Sequence, residues 1–168
     1  MSAIDKTTKD KIAIAHPRVR QELGDMVEHI NTKILTGEAK VRITSTLRTW
    51  EEQEELYAQG RTKPGPKVTN AKAGDSVHNF GLGFDIVLII NGREASWDVK
   101  KDWDKDKQSD WMEVVTYCKS KGWRWGGDWI SWKDMPHMEK TFGYTVKQLK
   151  ELYLAKDFIP GTTYVKTK

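Results

Sequence analysis

Two short stretches of this chain carry residue types that could do chemistry. In Ser76-Val77-His78-Asn79-Phe80-Gly81-Leu82-Gly83-Phe84-Asp85, a histidine and an aspartate flank two glycines, and the aspartate opens the apolar run Ile86-Val87-Leu88-Ile89-Ile90. A carboxylate set against a buried strand costs roughly several kcal/mol to desolvate unless something pairs with it. A metal is one such partner; a turn-capping aspartate beside an unrelated histidine is the competing reading. The second stretch is Asp134-Met135-Pro136-His137-Met138-Glu139. Pro136 forces Met135 into an extended conformation, which displays Asp134 and His137 on a turn leading into a short strand.

The chain has 4 histidines. His16 precedes a helix without any partner pattern and reads as structural, and His29 follows Asp25 at helical spacing, which reads as an exposed ion pair. His78 and His137 lie beside apolar extended segments. With Asp85 they supply two imidazoles and one carboxylate, a set that suits Zn²⁺ with its fourth position left open. Imidazole is the wrong ligand for Mg²⁺ or Ca²⁺, and ferrous iron is the rival metal. A metal brings the pKa of a water near ~7, and Asp134 is placed to take that proton without being a ligand. Glu139 is a competing base, although a residue past the ligand fits the floor of a site better. Arg48 falls in a strand-to-helix turn, where it is either a cation aimed at an anion or a surface arginine.

The elements that must position these groups follow from periodicity. Pro17 opens a helix with Val19, Leu23, Met26, Val27, Ile30 and Ile34 at helical spacing up to Gly37. Val41–Ser45 alternates as a strand, and Thr49 with Glu52 predicts a capping box for a helix running to Gly60. Residues 60–75 form a long loop with Arg61, Lys63, Lys67 and Lys72. Phe84–Ile90 reads as a strand ended by Asn91-Gly92, a hairpin signal with its partner strand beginning near Arg93. Asp98–Lys107, dense in alternating charge, reads as a solvated loop. Trp111, Val114, Val115 and Cys118 mark a helix face ended by Lys119, Lys121 and Gly122, which makes Cys118 a core residue. Trp123-Arg124-Trp125 alternates as a strand, and Thr145 with Gln148 caps a last helix. No periodicity follows Lys156, and no internal repeat is present.

At 168 residues the chain fits one domain, expected to span 1–168 with its core over about 17–155, a tail over 156–168 and no separate second domain. A hydrophobic share of 38% with 31% charged residues excludes a disordered chain. The 8 tryptophans favour broad aromatic contact surfaces. The net charge of +4 mildly favours polyanionic surroundings, but no nucleic-acid-binding motif accompanies it. One cysteine excludes an intrachain disulfide and a Cys-rich zinc site. The N-terminal residues lack the apolar core of a signal peptide, and no apolar run reaches membrane-spanning length. The expectation is a monomeric protein made in the cytoplasm, neither binding nucleic acid nor inserting into membrane.

Ser76-x-His78-x-x-Gly81-x-Gly83-x-Asp85, followed by Asp134-x-x-His137, resembles the zinc peptidases of family M15, which holds D-Ala-D-Ala carboxypeptidases and L-alanyl-D-glutamate endopeptidases. The resemblance runs from about Val41 to Glu139 and takes in the segment around Arg48, Tyr57-Ala-Gln-Gly-Arg-Thr, Val68-Thr-Asn-Ala and Trp123-Arg-Trp-Gly-Gly-Asp. It implies His78, Asp85 and His137 as zinc ligands, Asp134 as general base, Arg48 as the arginine that steadies the substrate carbonyl or developing oxyanion, and Ser76 as a residue supporting the site or touching substrate. It also implies an α+β fold of the D-Ala-D-Ala metallopeptidase/hedgehog-like kind, a small, mainly antiparallel sheet with packed helices and zinc in a cleft over it. Gly83 departs from the alanine common in the family. The Lys-Asp-Met-Pro-His context is similar to the endopeptidases of phage lysins and bacterial wall remodelling, which cut the peptidoglycan stem peptide between L-alanine and D-glutamate. Release to the wall through a membrane lesion, as for a phage lysin, and intracellular recycling of wall fragments are both compatible with the N-terminus. The alternatives are a D-Ala-D-Ala carboxypeptidase and a non-catalytic, zinc-stabilised wall-binding module. The basic loop and the tryptophans of 123–132 are the expected grip on the acidic stem peptide and glycan.

Overall fold

The computed structural model describes residues 3–168; Met1 and Ser2, which belong to the N-terminal stretch and to the 1–168 span, lie outside the described residues. Among the described residues, five α-helices surround one antiparallel sheet. The chain enters through α1 (Lys6–Ile14), a helix whose apolar pattern is too sparse to announce it. Asp5 caps α1 by accepting from the Thr8 amide at 2.8 Å, and the buried Thr8 hydroxyl accepts from the amide of Ile43. Next comes α2 (Pro17–His29), with Pro17 in its first turn and Val19, Leu23, Met26 and Val27 buried. The regular helix stops earlier than its apolar spacing predicts and continues as a π turn over Ile30–Ile34. That wider turn carries Asn31 to the sheet, where its side chain both accepts from the Val41 amide and donates to the Val41 carbonyl.

The sheet is built around β2 (Gly83–Ile90). β1 (Ala39–Ser45) pairs along one side of it, and β5 (His137–Glu139) pairs with its first residues on the other, followed outward by β4 (Arg124–Trp125). The hairpin at Asn91-Gly92, both with positive φ, returns β3 (Glu94–Ser96) onto the end of β2. Phe84, Ile86, Leu88 and Ile90 face the core, where Leu23, Met26, Val27, Val114 and Cys118 meet them. Strand alternation sends Asp85 to the opposite face. Both faces of β2 are nonetheless covered, which is why the run of residues 86–90 is continuously apolar.

The helix α3 (Trp50–Ala58) starts at Thr49, whose hydroxyl accepts from the Glu52 amide; α4 (Asp110–Ser120) buries Trp111, Val114, Val115 and Cys118, and α5 (Val146–Leu154) opens with the full Thr145–Gln148 capping box. The core exceeds the expected span of residues 17–155. Val165 is 1% exposed, Phe158 bridges to it, and its carbonyl oxygen meets His16 Nε2 at 2.7 Å. Thus His16 is structural, as its sequence setting implies: it caps α2 through Nδ1 and pins the C-terminal segment through Nε2. His29 differs from expectation. Its ring stacks on Tyr117 at 4.8 Å, while Asp25 accepts from Gln21.

Candidate active site

His78 sits in a single 3₁₀ turn, Val77–Phe80. Ser76 and Asn79 form a reciprocal capping box at its start, and Gly81, at φ +69°, ends it in the left-handed region. A Cβ on Gly81 would lie 2.6 Å from the His16 amide nitrogen, so both the conformation and the space require glycine. The segment after β1 holds this turn in place: the Arg48 amide donates to the His78 carbonyl, and the Asn79 amide group donates to the Arg48 carbonyl. Asp85 and His137 are directly opposed in the β2–β5 register and so present their side chains on one face.

These elements bring three atoms together. His137 Nδ1 lies 3.1 Å from Asp85 Oδ1 and 3.2 Å from His78 Nε2, and His78 Nε2 lies 3.3 Å from Asp85 Oδ1. Ligands at about 2.0–2.1 Å from a tetrahedral zinc are about 3.3 Å apart along each edge. Protons cannot satisfy all three contacts at once, whereas one cation can. The outer nitrogens are also committed. His78 Nδ1 donates to the Thr46 carbonyl at 2.8 Å, and His137 Nε2 donates to Glu139 Oε1 at 3.0 Å. Each imidazole therefore turns its remaining ring nitrogen toward the shared point, the arrangement that orients metal-bound histidines. His78 and His137 are buried, and the three residues form a group able to hold a metal ion.

Electrostatics agree with a site made for positive charge. Burial pushes the Asp85 carboxyl up, but hydrogen bonds from His137 and His78 hold it well below the usual carboxylate range. Burial works against a charged His137, yet Asp85 and Glu139 raise it to about 9. Glu139, 5% exposed, is kept ionised against its burial by His137 and by Arg124, whose guanidinium binds its second oxygen. Both carboxylate oxygens are thus occupied, and Glu139 stands as the hydrogen-bond partner of His137.

Asp134 lies across the same cleft. Its backbone is fixed by a hydrogen bond from its amide to the Gly126 carbonyl and by its own carbonyl accepting from the His137 amide. A Cβ on Gly126 would fall 2.4 Å from the Asp134 carbonyl oxygen, so this glycine is what lets the two segments touch. Burial raises the Asp134 carboxyl, and the charge of Asp85 adds to that; His137, His78 and Arg48 pull the other way. Arg48 is half-buried and aimed by Gln53, a fully buried side chain of α3 that accepts from Arg48 Nη1 at 3.0 Å and donates to the Ala71 carbonyl at 2.7 Å. Nothing in the apolar pattern singles out Gln53; a glutamine on the inward face of a short helix is the only trace of it.

The cleft holds about 680 Å³ and is lined by Arg48, Ser76, His78, Asp85, Asp134 and His137. Ser76 borders it, though its hydroxyl accepts from the His78 amide as the cap. Residues 68–71 and Asp75 also line the cleft, as do Trp129, Trp132 and Lys133. The basic part of the 60–75 loop is used differently from expectation. Arg61 stacks on Tyr57 and donates to the Tyr57 and Thr69 carbonyls, and Lys63 pairs with Glu55, so the loop meets the cleft through the neutral residues 68–71 and the acidic Asp75.

Known proteins share this arrangement of sequence. Residues 69–140 match the peptidase M15 family described as D-alanyl-D-alanine carboxypeptidase. The peptidoglycan L-alanyl-D-glutamate endopeptidase CwlK of Bacillus subtilis (strain 168) is 41% identical over 124 residues, covering 74% of this chain and 72% of CwlK. The chain belongs to peptidase family M15. The L-alanyl-D-glutamate peptidase of Listeria phage A118 is 30% identical over 106 residues, which are 62% of this chain and 32% of the phage protein. Among solved structures, the Serratia marcescens L-Ala D-Glu endopeptidase ChiX aligns with 82% of this chain and 88% of its own at a TM-score of 0.49 and 23% identity. As an M15 member the chain has the family's α+β architecture on its antiparallel sheet, and among the described residues no helix is long and apolar enough to cross a membrane.

Proposed function

We propose that this chain is a zinc-dependent peptidoglycan hydrolase that cuts the stem peptide at the L-alanyl-D-glutamate bond. The observation that carries the reading is the triangle of His78 Nε2, Asp85 Oδ1 and His137 Nδ1, with edges of 3.1–3.3 Å and both outer imidazole nitrogens engaged. The donor set of two imidazoles and one carboxylate, without thiolate, is that of a catalytic zinc with an open position. Zinc bound there would supply Lewis acidity toward the scissile carbonyl and the attacking water.

The remaining work falls to the chain's own side chains. Asp134 takes the proton from the attacking water and hands it to the departing amine of D-glutamate; its raised pKa makes it the better donor in that second step. Arg48, held by Gln53, donates to the carbonyl oxygen as negative charge develops there. Ser76 shapes the His78 turn and meets substrate at the cleft border. Trp129 and Trp132 flank the substrate path, and Lys133 supplies a positive charge beside it for an acidic peptide. Residues 1–168 act as one monomeric catalytic unit on the bacterial cell wall, reached after synthesis in the cytoplasm.

Identity to CwlK over most of both chains favours the endopeptidase reading. The family description favours a D-Ala-D-Ala carboxypeptidase as the second reading. Replacement of Asp134 by asparagine tests the mechanism. The expected protein retains one zinc per chain and loses about 10²–10⁴-fold in turnover; retention of full turnover would remove Asp134 as the base.

A further inference from the structure

Residues 102–113 place Asp102, Asp104, Asp106, Asp110 and Glu113 at positions 1, 3, 5, 9 and 12 of a twelve-residue stretch. These are the side-chain ligand positions of an EF-hand calcium loop, and that loop's sixth position, ordinarily glycine, needs a sharp turn. Here Lys107 occupies the sixth position and adopts φ +79°. The amides of Lys105 and Lys107 both donate to Asp102, the wrapping that closes such a loop. The twelfth residue falls in the first turn of α4, as it does where an EF-hand loop runs into its second helix.

Spacing alone would not make this a site. The independent observation is the state of two carboxylates that face the loop. Asp110 is 0% exposed; one oxygen accepts from the Trp103 amide at 2.7 Å and the other has no hydrogen-bond partner among the described residues. Glu113 Oε2 is likewise buried and unpartnered. Among the described residues, no Lys or Arg forms a salt bridge with any of the five acids. Asp102, Asp104 and Asp110 offer ligand atoms within 4.8 Å of one another, and so do Asp104, Asp106 and Glu113. Oxygens on opposite sides of a calcium ion, each at about 2.4 Å, are about 4.8 Å apart. Gathering acids without a counter-charge is unfavourable: Glu113 is pushed up to about 7 by partial burial and by the charges of Asp106, Asp104 and Asp110.

We propose that residues 102–113 bind one calcium ion, separate from the His78–Asp85–His137 group, through the carboxylates of Asp102, Asp104, Asp106, Asp110 and Glu113. An all-oxygen donor set of this kind selects a hard cation, and five carboxylates exceed the one or two that magnesium, which keeps several waters, ordinarily takes. Bound calcium would clamp the start of α4 to the turn after α2, because Asp104 also accepts from the Thr36 amide and hydroxyl and packs its backbone against Gly37. The loop has no preceding helix and carries lysine in place of the turn glycine, so its affinity belongs with weak extracellular modules, at a Kd on the order of 10⁻⁴–10⁻³ M. Calcium would then stabilise the protein where the ion is millimolar and leave it unclamped where it is scarce.

The test is titration of the zinc-loaded protein with calcium chloride, read by calorimetry and by thermal melting, with zinc content followed throughout. One calcium per chain is expected, with the melting temperature rising by about 3 °C or more at 5 mM calcium and less at equal magnesium. Glu113→Gln and, at an exposed position, Asp106→Asn should each weaken calcium binding at least tenfold while zinc content and basal hydrolysis stay unchanged. Terbium luminescence sensitised by Trp103 and Trp111 gives a second readout on the parent protein, and calcium should compete it away. Absence of binding and of any melting shift at 10 mM calcium, or equal calcium responses in the parent and both variants, would overturn the proposal.

Discussion

Glu139→Ala separates the two roles open to this carboxylate. In the structure its Oε1 accepts from His137 Nε2 at 3.0 Å in a setting that is 5% exposed. Truncation leaves that N–H buried without its acceptor, a cost of about 1–3 kcal/mol, and frees the ring to rotate away from Asp85 and His78. Partners of this kind, when removed, lower metal affinity by about 10–100-fold, or about 1.4–2.7 kcal/mol, which is the same size. Glu139→Gln keeps a neutral acceptor, and charge-assisted bonds are about twice as strong as neutral ones, so roughly half the loss is expected. Strand β5 itself should persist, since its backbone pairing with β2 and β4 does not involve the side chain. Zinc affinity would be measured by competition with a chelator of known affinity, and turnover at saturating zinc. The expected pattern is weakened zinc binding in the order Ala, then Gln, with turnover largely restored once the site is filled. A zinc affinity within twofold of the parent for Glu139→Ala would refute the argument; normal affinity with lost turnover would return Glu139 to the role of base.

Three other perturbations have defined outcomes. Gly126→Ala sets a Cβ 2.4 Å from the Asp134 carbonyl oxygen; it should cost about 1–3 kcal/mol in unfolding experiments and reduce turnover more than zinc content. Arg48→Ala should lower kcat about 10²–10³-fold, the size seen on removing one donor to a developing oxyanion, whereas a change confined to KM would make it a binding residue only. Cys118 is buried and its thiol is pushed up to about 12, chiefly by burial. The native protein should therefore not react with a thiol reagent at pH 8, and should react at once when unfolded.

Much of the site is legible in the sequence because its residue types are scarce. With 4 histidines in the chain, and two of them explained by helix positions, His78 and His137 stand out, and Asp85 is conspicuous at the mouth of an apolar strand. What stays hidden depends on register and packing. Glu139 becomes the partner of His137 only when β5 is placed beside β2 and β4, and Gln53 aims Arg48 only once α3 closes over residues 69–71. The helix α1 escapes a periodicity argument because its single fully buried residue is Thr8, held by a hydrogen bond to β1 instead of an apolar stripe. The C-terminal segment shows no period, yet it contributes Val165 and seals His16. The 98–107 stretch reads as solvated charge because alternating Asp and Lys look like surface; the unpartnered carboxylates of Asp110 and Glu113 emerge only when the loop is folded onto α4.

The central claim concerns the bond that is cut. Purified peptidoglycan would be digested with the zinc-loaded protein, and the newly exposed amino termini labelled and identified by mass spectrometry. A new D-glutamate amino terminus, absent from the Asp134→Asn digest and from the chelator-treated control, is the predicted result. Release of free terminal D-alanine with no new D-glutamate terminus would contradict it.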